Sequence, residues 1–168
     1  MRGAWKMADM DDAHHDVVLL VDDEENILRS LARELMDMPY GLLTATSADT
    51  ALDVLRAHPV TVVISDQRMS GATGTELLAA VREKYPDVVR ILLTAFSDMQ
   101  DVIDAINKAG IYKFIQKPWK TAELKRIIAE AVDHYHIMRE KNVRKQVVVR
   151  NGAVSGDDSK SLKAPVRG

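Results

Sequence analysis

A doubly wound α/β fold is predicted by this 168-residue chain: a five-stranded parallel sheet with helices on both faces and an extended last helix. Two features carry the prediction. Five short apolar runs recur at intervals too long for hairpins, and several are β-branched and unbroken, as strands buried on both faces should be. Between them lie stretches with apolar residues every three or four positions, the stripe of a helix packed on a sheet. Strand and helix in alternation imply right-handed crossovers.

The elements follow in order. "VVLLV" (17–21) is the first strand, and Ile27, Leu28, Leu31 and Leu35 mark the first helix. "GLLTA" (41–45) precedes a helix marked by Ala48, Ala51, Leu52 and Leu55, with Ser47 placed to cap it. "VTVVIS" (60–65) leads to a helix carrying Leu77, Leu78 and Val81. "VRILLTA" (89–95) leads to one carrying Val102, Ile103 and Ile106, which ends near Gly110. "YKFIQ" (112–116) is the fifth strand, and Leu124, Ile127, Ile128, Ala131 and Tyr135 mark the fifth helix.

That helix overruns its domain. Leu124, Ile128, Ala131, Tyr135 and Met138 keep a 3.5-residue spacing, which reads either as a short dimer seam or as a solvated tail. "QVVVRNGAV" (146–154) reads as one short strand or a segment packed on a partner, and "SGDDSKSLKAPVRG" (155–168) as disordered. The domain organisation is therefore a flexible leader over 1–15, one domain over 16–136, and a helix extension with a disordered or partner-packed tail over 137–168.

Composition removes several function classes. A net charge of −2 gives no global field toward nucleic acid or anionic lipid, so direct nucleic-acid binding and a membrane partner are not expected. The absence of cysteine excludes disulfides, thiolate metal sites and cysteine nucleophiles. No apolar run approaches the ~20 residues of a bilayer span, and residues 1–15 lack a signal peptide's apolar stretch; a cytoplasmic location is the expectation. His14, His15, His58, His134 and His136 form no pattern that would bind a metal.

Chemistry gathers at the strand ends. Asp22 and Asp23 close the first strand, Asp66 the third, Thr94 the fourth and Lys117 the fifth. In a parallel sheet those ends point the same way, and ligands bind beyond them. Adjacent acids repel by ~4 kcal/mol at an effective protein dielectric, so the "DDEE" run calls for a cation. Oxygen-only ligands favour Mg²⁺ (or Mn²⁺). Such a pocket suits phosphoryl transfer onto a carboxylate. Asp66 is the candidate nucleophile, Asp23 and Asp22 hold the metal, Lys117 adds positive charge, and the Thr94 hydroxyl bonds a phosphoryl oxygen.

From Asp16 to about His136 the chain resembles the receiver domain of two-component response regulators. The likeness rests on the acid pair of "LLVDDEEN", the acceptor of "VISDQRMSG", the hydroxyl of "ILLTAF" and the Lys-Pro of "QKPW", in the family's order. It implies the flavodoxin-like strand order 2-1-3-4-5, and phosphorylation of Asp66 by a histidine kinase or phosphotransfer protein. It also implies metal ligation by Asp23, Asp66 and the Arg68 backbone carbonyl, with Asp22 acting through water. The implied readout has Thr94 shift toward the phosphate while Phe114 turns inward, repacking the face made by the fourth helix, fifth strand and fifth helix. An output partner, or a homodimer through that face or the last helix, would read the change. The domain would then be a switch whose only chemistry is its own phosphorylation and dephosphorylation.

The sequence departs from the family in two places. Ser70 stands where Met-Pro is common, which predicts a more mobile loop; Phe114 stands where Tyr is common. Bulky Arg68 and Phe96 flank the route of an attacking water, which predicts slow loss of phosphate rather than hydrolysis within seconds. Segments "RILLTAFSD" and "IYKFIQKPW" look most like receivers that precede ATPase-type transcription activators or cyclic-dinucleotide phosphodiesterase domains. No such output motif follows, so a stand-alone receiver and a piece of a longer protein both remain open.

Single residues also have plainer readings: Asp22 and Asp23 as a helix cap, Lys117 as a surface lysine, Thr94 as a strand residue, Phe114 as a core aromatic, Trp119 as packing or as partner surface. Their convergence favours the functional reading. Two alternatives stand beside the switch. One is a receiver-like interaction module that works without phosphate. The other is a phosphatase of the haloacid-dehalogenase type, disfavoured because that class carries Asp-x-Asp on its first strand.

Overall fold

The computed structural model describes residues 16–95 and 99–153; the side chains of Met99 and of 151–153 are outside that description. Ten elements alternate: β1 (Val17–Val21), α1 (Glu25–Leu35), β2 (Gly41–Ala45), α2 (Ala48–Ala57), β3 (Val62–Asp66), α3 (Gly74–Lys84), β4 (Val89–Ala95), α4 (Met99–Ala109), β5 (Lys113–Lys117) and α5 (Thr121–Ala153). All strand pairs are parallel, in the order β2-β1-β3-β4-β5. The doubly wound sheet and its strand order are as the sequence predicts. The third and fifth strands lie one or two residues later than the apolar runs suggest.

The chain divides into two compact units, Met1–Tyr135 and His136–Gly168. In the first, alternate strand residues feed two cores. Val18, Leu20, Ile64, Ile91 and Leu93 meet Leu28, Leu31 and Leu35 of α1 and Leu124, Ile128 and Ala131 of α5. Leu19, Val21, Val63 and Leu92 meet Ala51 and Leu55 of α2, Leu77, Leu78 and Val81 of α3, and Ala105 and Ala109 of α4. Both faces of the sheet are thereby covered, which explains why the strand sequences are unbroken apolar runs.

Helix ends are specified locally. Ser47 accepts the Thr50 N–H and Thr73 accepts the Glu76 N–H, each with a reciprocal bond, so α2 and α3 both begin in capping boxes. The C-terminus of α4 is held from outside: the Arg90 guanidinium donates to the carbonyls of Ala109 (2.9 Å) and Gly110 (3.1 Å), and Arg82 to those of Asn107 and Lys108. Two cations there oppose the negative end of the helix dipole. Gly110, at φ +54, makes the left-handed turn that ends it.

For the last helix the structure excludes one of the two alternatives in each of two cases. The seam drawn through Leu124, Ile128 and Ala131 is not available, because all three are fully buried in the first unit's core. Over two turns a core-facing stripe and a coiled-coil seam share the same spacing. The "QVVVR" run is also not a strand: α5 continues through Ala153. A lone strand would leave its N–H and C=O groups unpaired, whereas a helix satisfies them internally. Within the second unit Ile137, Val143, Val147, Val148 and Val149 are exposed. Among the described residues no helix is long and apolar enough to cross a membrane. The expected leader (1–15) and disordered tail (155–168) lie outside the described residues, as do His14 and His15.

Candidate functional site

The register of the sheet assembles the site. Asp66 ends β3 opposite Leu93, one residue before Thr94 on β4, and Ala95 in turn pairs with Lys117 on β5. Asp22 follows β1, its amide bonded to the Ala45 carbonyl at the end of β2. Residues up to 95 positions apart in the chain thus reach one rim.

Lys117 Nζ lies 2.6 Å from Asp66 Oδ1 and 3.7 Å from Asp22 Oδ2. Asp22, Asp23 and Asp66 each offer an oxygen within 4.8 Å of the others. Asp22 is 1% exposed; its Oδ1 accepts the Glu24 N–H at 2.9 Å, and its buried Oδ2 has no hydrogen-bond partner. Asp23 is partly exposed, and its Oδ2 accepts both the Ser70 N–H (2.8 Å) and the Ser70 hydroxyl (3.1 Å). Thr94 is buried and donates to the Ala95 carbonyl at 3.3 Å. The Lys117–Pro118 bond is cis.

Electrostatics separate the two neighbouring acids. Burial, and then the nearby Asp66 and Asp23 charges, push the Asp22 carboxyl above its ordinary value, against the Glu24 N–H and Lys117. The two Ser70 donors pull Asp23 below it, the backbone N–H most. Three carboxylates facing one ammonium, all donors oxygen and one buried oxygen orphaned, fit a hard divalent cation.

A stability test follows for the metal-free protein. A group raised in the folded state contributes fully below its unfolded value of 3.8, and that contribution is lost as pH rises through the folded value. With chelator present, wild type should therefore lose stability to Asp22 above the ordinary carboxylate range, and Asp22→Asn should not. At neutral pH the variant should be more stable by about 1–2 kcal/mol, the scale of the desolvation penalty of an incompletely satisfied buried polar group, because the amide removes the buried charge beside Asp66 and Asp23. Urea unfolding at two pH values in EDTA measures it; an equal or lower midpoint for Asp22→Asn would count against a destabilising buried charge at Asp22.

The backbone behind Asp66 rests on α3. Gly74 donates its N–H to the Gln67 carbonyl, and a Cβ on Gly74 would lie 2.2 Å from the Asp66 carbonyl oxygen. Gln67 is buried; its Oε1 accepts from the Thr75 N–H (3.0 Å) and hydroxyl (2.9 Å). The Gln67 N–H donates to the Leu93 carbonyl, tying β3 to β4 beside Thr94. Sequence reading missed Gln67 and Gly74. "SDQRMSGATGTE" contains a glycine at a helix start, but which backbone it approaches is set by the fold.

The remaining predicted residues are dispersed. Arg68 is exposed two residues past Asp66, and Phe96 lies outside the described residues. Phe114 is 40% exposed and lines a groove of about 430 Å³ with Ile106, Ile111, Tyr112, Arg126 and Ile127, so it is a surface residue and not a core aromatic. Ile103 and Ile106 are exposed on α4. Trp119 resolves as packing: it lies against the α1–α5 core and donates Nε1–H to Glu34 at 3.0 Å. His134 stacks on Tyr112 with ring centroids 4.7 Å apart. The loop at Ser70 is fastened to Asp23, where a missing proline had suggested looseness.

A family model described as the response regulator receiver domain matches residues 18–129. The hydrogenase transcriptional regulatory protein HoxA of Cupriavidus necator is 44% identical over 116 residues, which are 69% of this chain and 24% of HoxA. Transcriptional regulatory protein GlrR of Escherichia coli is 31% identical over 134 residues, 80% of this chain and 30% of GlrR. The chain thus spans about a quarter to a third of the length of these curated relatives. Among solved structures, the signal receiver domain of an HD domain-containing protein from Pseudomonas fluorescens superposes with a TM-score of 0.72 at 38% identity, covering 75% of this chain and 93% of that one. NtrX from Brucella abortus gives 0.71 at 27% identity, covering 77% and 30%.

Proposed function

This chain belongs to the response regulator receiver family, and from that premise we propose that it is a switch set by phosphorylation of Asp66. The observation that carries the proposal is the meeting of Asp66, Asp22, Asp23 and Lys117 at one rim, with Lys117 2.6 Å from the Asp66 carboxylate.

In the proposed reaction an Asp66 carboxylate oxygen attacks the phosphorus of a phosphohistidine on a histidine kinase or phosphotransfer protein. The new P–O bond forms as the P–N bond breaks, and the imidazole nitrogen leaves with the electron pair and takes up a proton. Asp22, Asp23, Asp66 and the Arg68 carbonyl would hold Mg²⁺ (or Mn²⁺), which when bound offsets charge on the phosphoryl oxygens. Lys117 moves its contact from the bare carboxylate to a phosphoryl oxygen, and the Thr94 hydroxyl bonds another. Arg68 and Phe96 screen the acyl phosphate from water and lengthen its life.

The readout we propose runs through Thr94 and Phe114. Phosphate that bonds Thr94 better in one arrangement biases a two-state element, and only that difference shifts the population. Phe114 starts at the surface, in a groove shared with exposed Ile106, so turning inward would reshape the α4-β5-α5 face. That face is proposed to meet the output partner or a second copy; the exposed part of α5 is a second candidate for self-association. The setting proposed is cytoplasmic, with no turnover of an outside substrate. If the chain is part of a longer regulator, the receiver would govern whatever output that protein carries.

Intact-protein mass after incubation with acetyl phosphate and Mg²⁺ tests the reading. One added phosphoryl group is expected, lost on chelation before phosphorylation and persisting well beyond seconds once formed. No adduct would favour a module that acts without phosphate, and turnover of a phosphorylated small molecule would favour a phosphatase.

A further inference from the structure

We propose that Ser70 orients Asp23 for the divalent ion, an inference that rests on reading the acid cluster as a metal site. Asp22 and Asp66 are fixed by burial, by the Glu24 N–H and by Lys117. Asp23 lacks that enclosure: it is the partly exposed member of the three. What holds it is Ser70, reaching across 47 positions of sequence to place both its N–H and its hydroxyl on Asp23 Oδ2.

Two donors on Oδ2 restrain the rotation of the carboxylate, and neither of them falls on Oδ1. Both bonds are charge-assisted, the stronger class of hydrogen bond. Hydrogen-bonding partners of metal-ligating carboxylates typically change metal affinity by about 10–100-fold. Proline, the residue common at this position in the family, has neither an N–H nor a hydroxyl and could make neither bond. Both Ser70 donors fall on Oδ2, so neither of them occupies Oδ1.

Calorimetric titration with MgCl₂ of wild type, Ser70→Ala and Ser70→Pro tests the assignment, with folding checked by circular dichroism. Ser70→Ala keeps the N–H and should weaken Mg²⁺ binding about threefold; Ser70→Pro removes both donors and should weaken it about tenfold or more. If the donors instead competed with the metal, the order would reverse and the proline variant would bind most tightly. Any order of dissociation constants other than wild type, alanine, proline overturns the role of Ser70. Should the proline variant fail to fold, Ser70→Gly replaces it beside Ser70→Ala, and both must bind more weakly than wild type. Wild type that shows no Mg²⁺ binding at all overturns the metal site itself, a different outcome from equal binding by every variant.

Discussion

Asp66→Asn is expected to carry no phosphoryl group under conditions that load the wild type fully. An amide oxygen is a poor nucleophile toward phosphorus, and the asparagine retains the shape of the side chain. The question is whether Asp22 or Asp23 could substitute. Asp22 is fully buried, with Oδ1 committed to the Glu24 N–H and its carboxyl pushed toward the protonated form. Asp23 is charged but has Oδ2 engaged by Ser70. Neither sits as Asp66 does, with Lys117 2.6 Å away to offset charge as the phosphoryl group arrives. The variant should fold, because it removes one of three mutually repelling acids. Its thermal midpoint in EDTA should match or exceed that of wild type, while the adduct peak should be absent. A residual adduct mapped to Asp22 or Asp23 would show that the pocket, and not Asp66, defines the acceptor.

Much of this pocket was legible because each of its acids, the hydroxyl and the ammonium follow an apolar run, and parallel strands carry such residues to one rim. The groups that tune it were hidden for a common reason: each acts through backbone brought close by the fold. In the sequence Ser70 reads as a missing proline, a change in stiffness, because its donors matter only once Asp23 lies opposite. Arg82 and Arg90 carry no capping signal, since they close a helix 19 to 26 positions further along the chain. The valines of "QVVVR" have high strand propensity, but no neighbouring strand pairs them and the helix already running from Thr121 continues. In α5 the spacing of Leu124, Ile128 and Ala131 suits a core stripe and a dimer seam alike, and the structure buries it in the core. Spacing identifies a buried stripe without saying what buries it.

Gly74→Ala is expected to be the most destabilising small substitution at the site, and the contrast with Gly71 explains why. Gly71 adopts φ +90, yet a Cβ there would meet nothing within 4 Å. Its replacement by alanine pays only for a left-handed backbone, about 1–2 kcal/mol. A Cβ on Gly74 meets backbone on every side: the Asp66 carbonyl oxygen at 2.2 Å, its carbon at 2.9 Å and the Gln67 Cα at 3.0 Å. No side chain can swing away, so either the first turn of α3 lifts or the Asp66 peptide moves. Lifting α3 breaks the Gly74 bond to the Gln67 carbonyl and strains the two Thr75 bonds to Gln67 Oε1. Overpacking against rigid surroundings costs about 3 kcal/mol or more, a fall of roughly 10 °C in thermal midpoint. Because the clash is with the phosphoacceptor's own peptide, phosphorylation by acetyl phosphate should also slow by about tenfold, as expected when a reacting group is displaced by a fraction of an ångström. That rate must be measured well below the variant's midpoint, with Gly71→Ala as the control. Gly71→Ala should lose some stability and keep its rate. Equal rates for the two variants would mean that α3 yields to the new methyl group while Asp66 stays where it is.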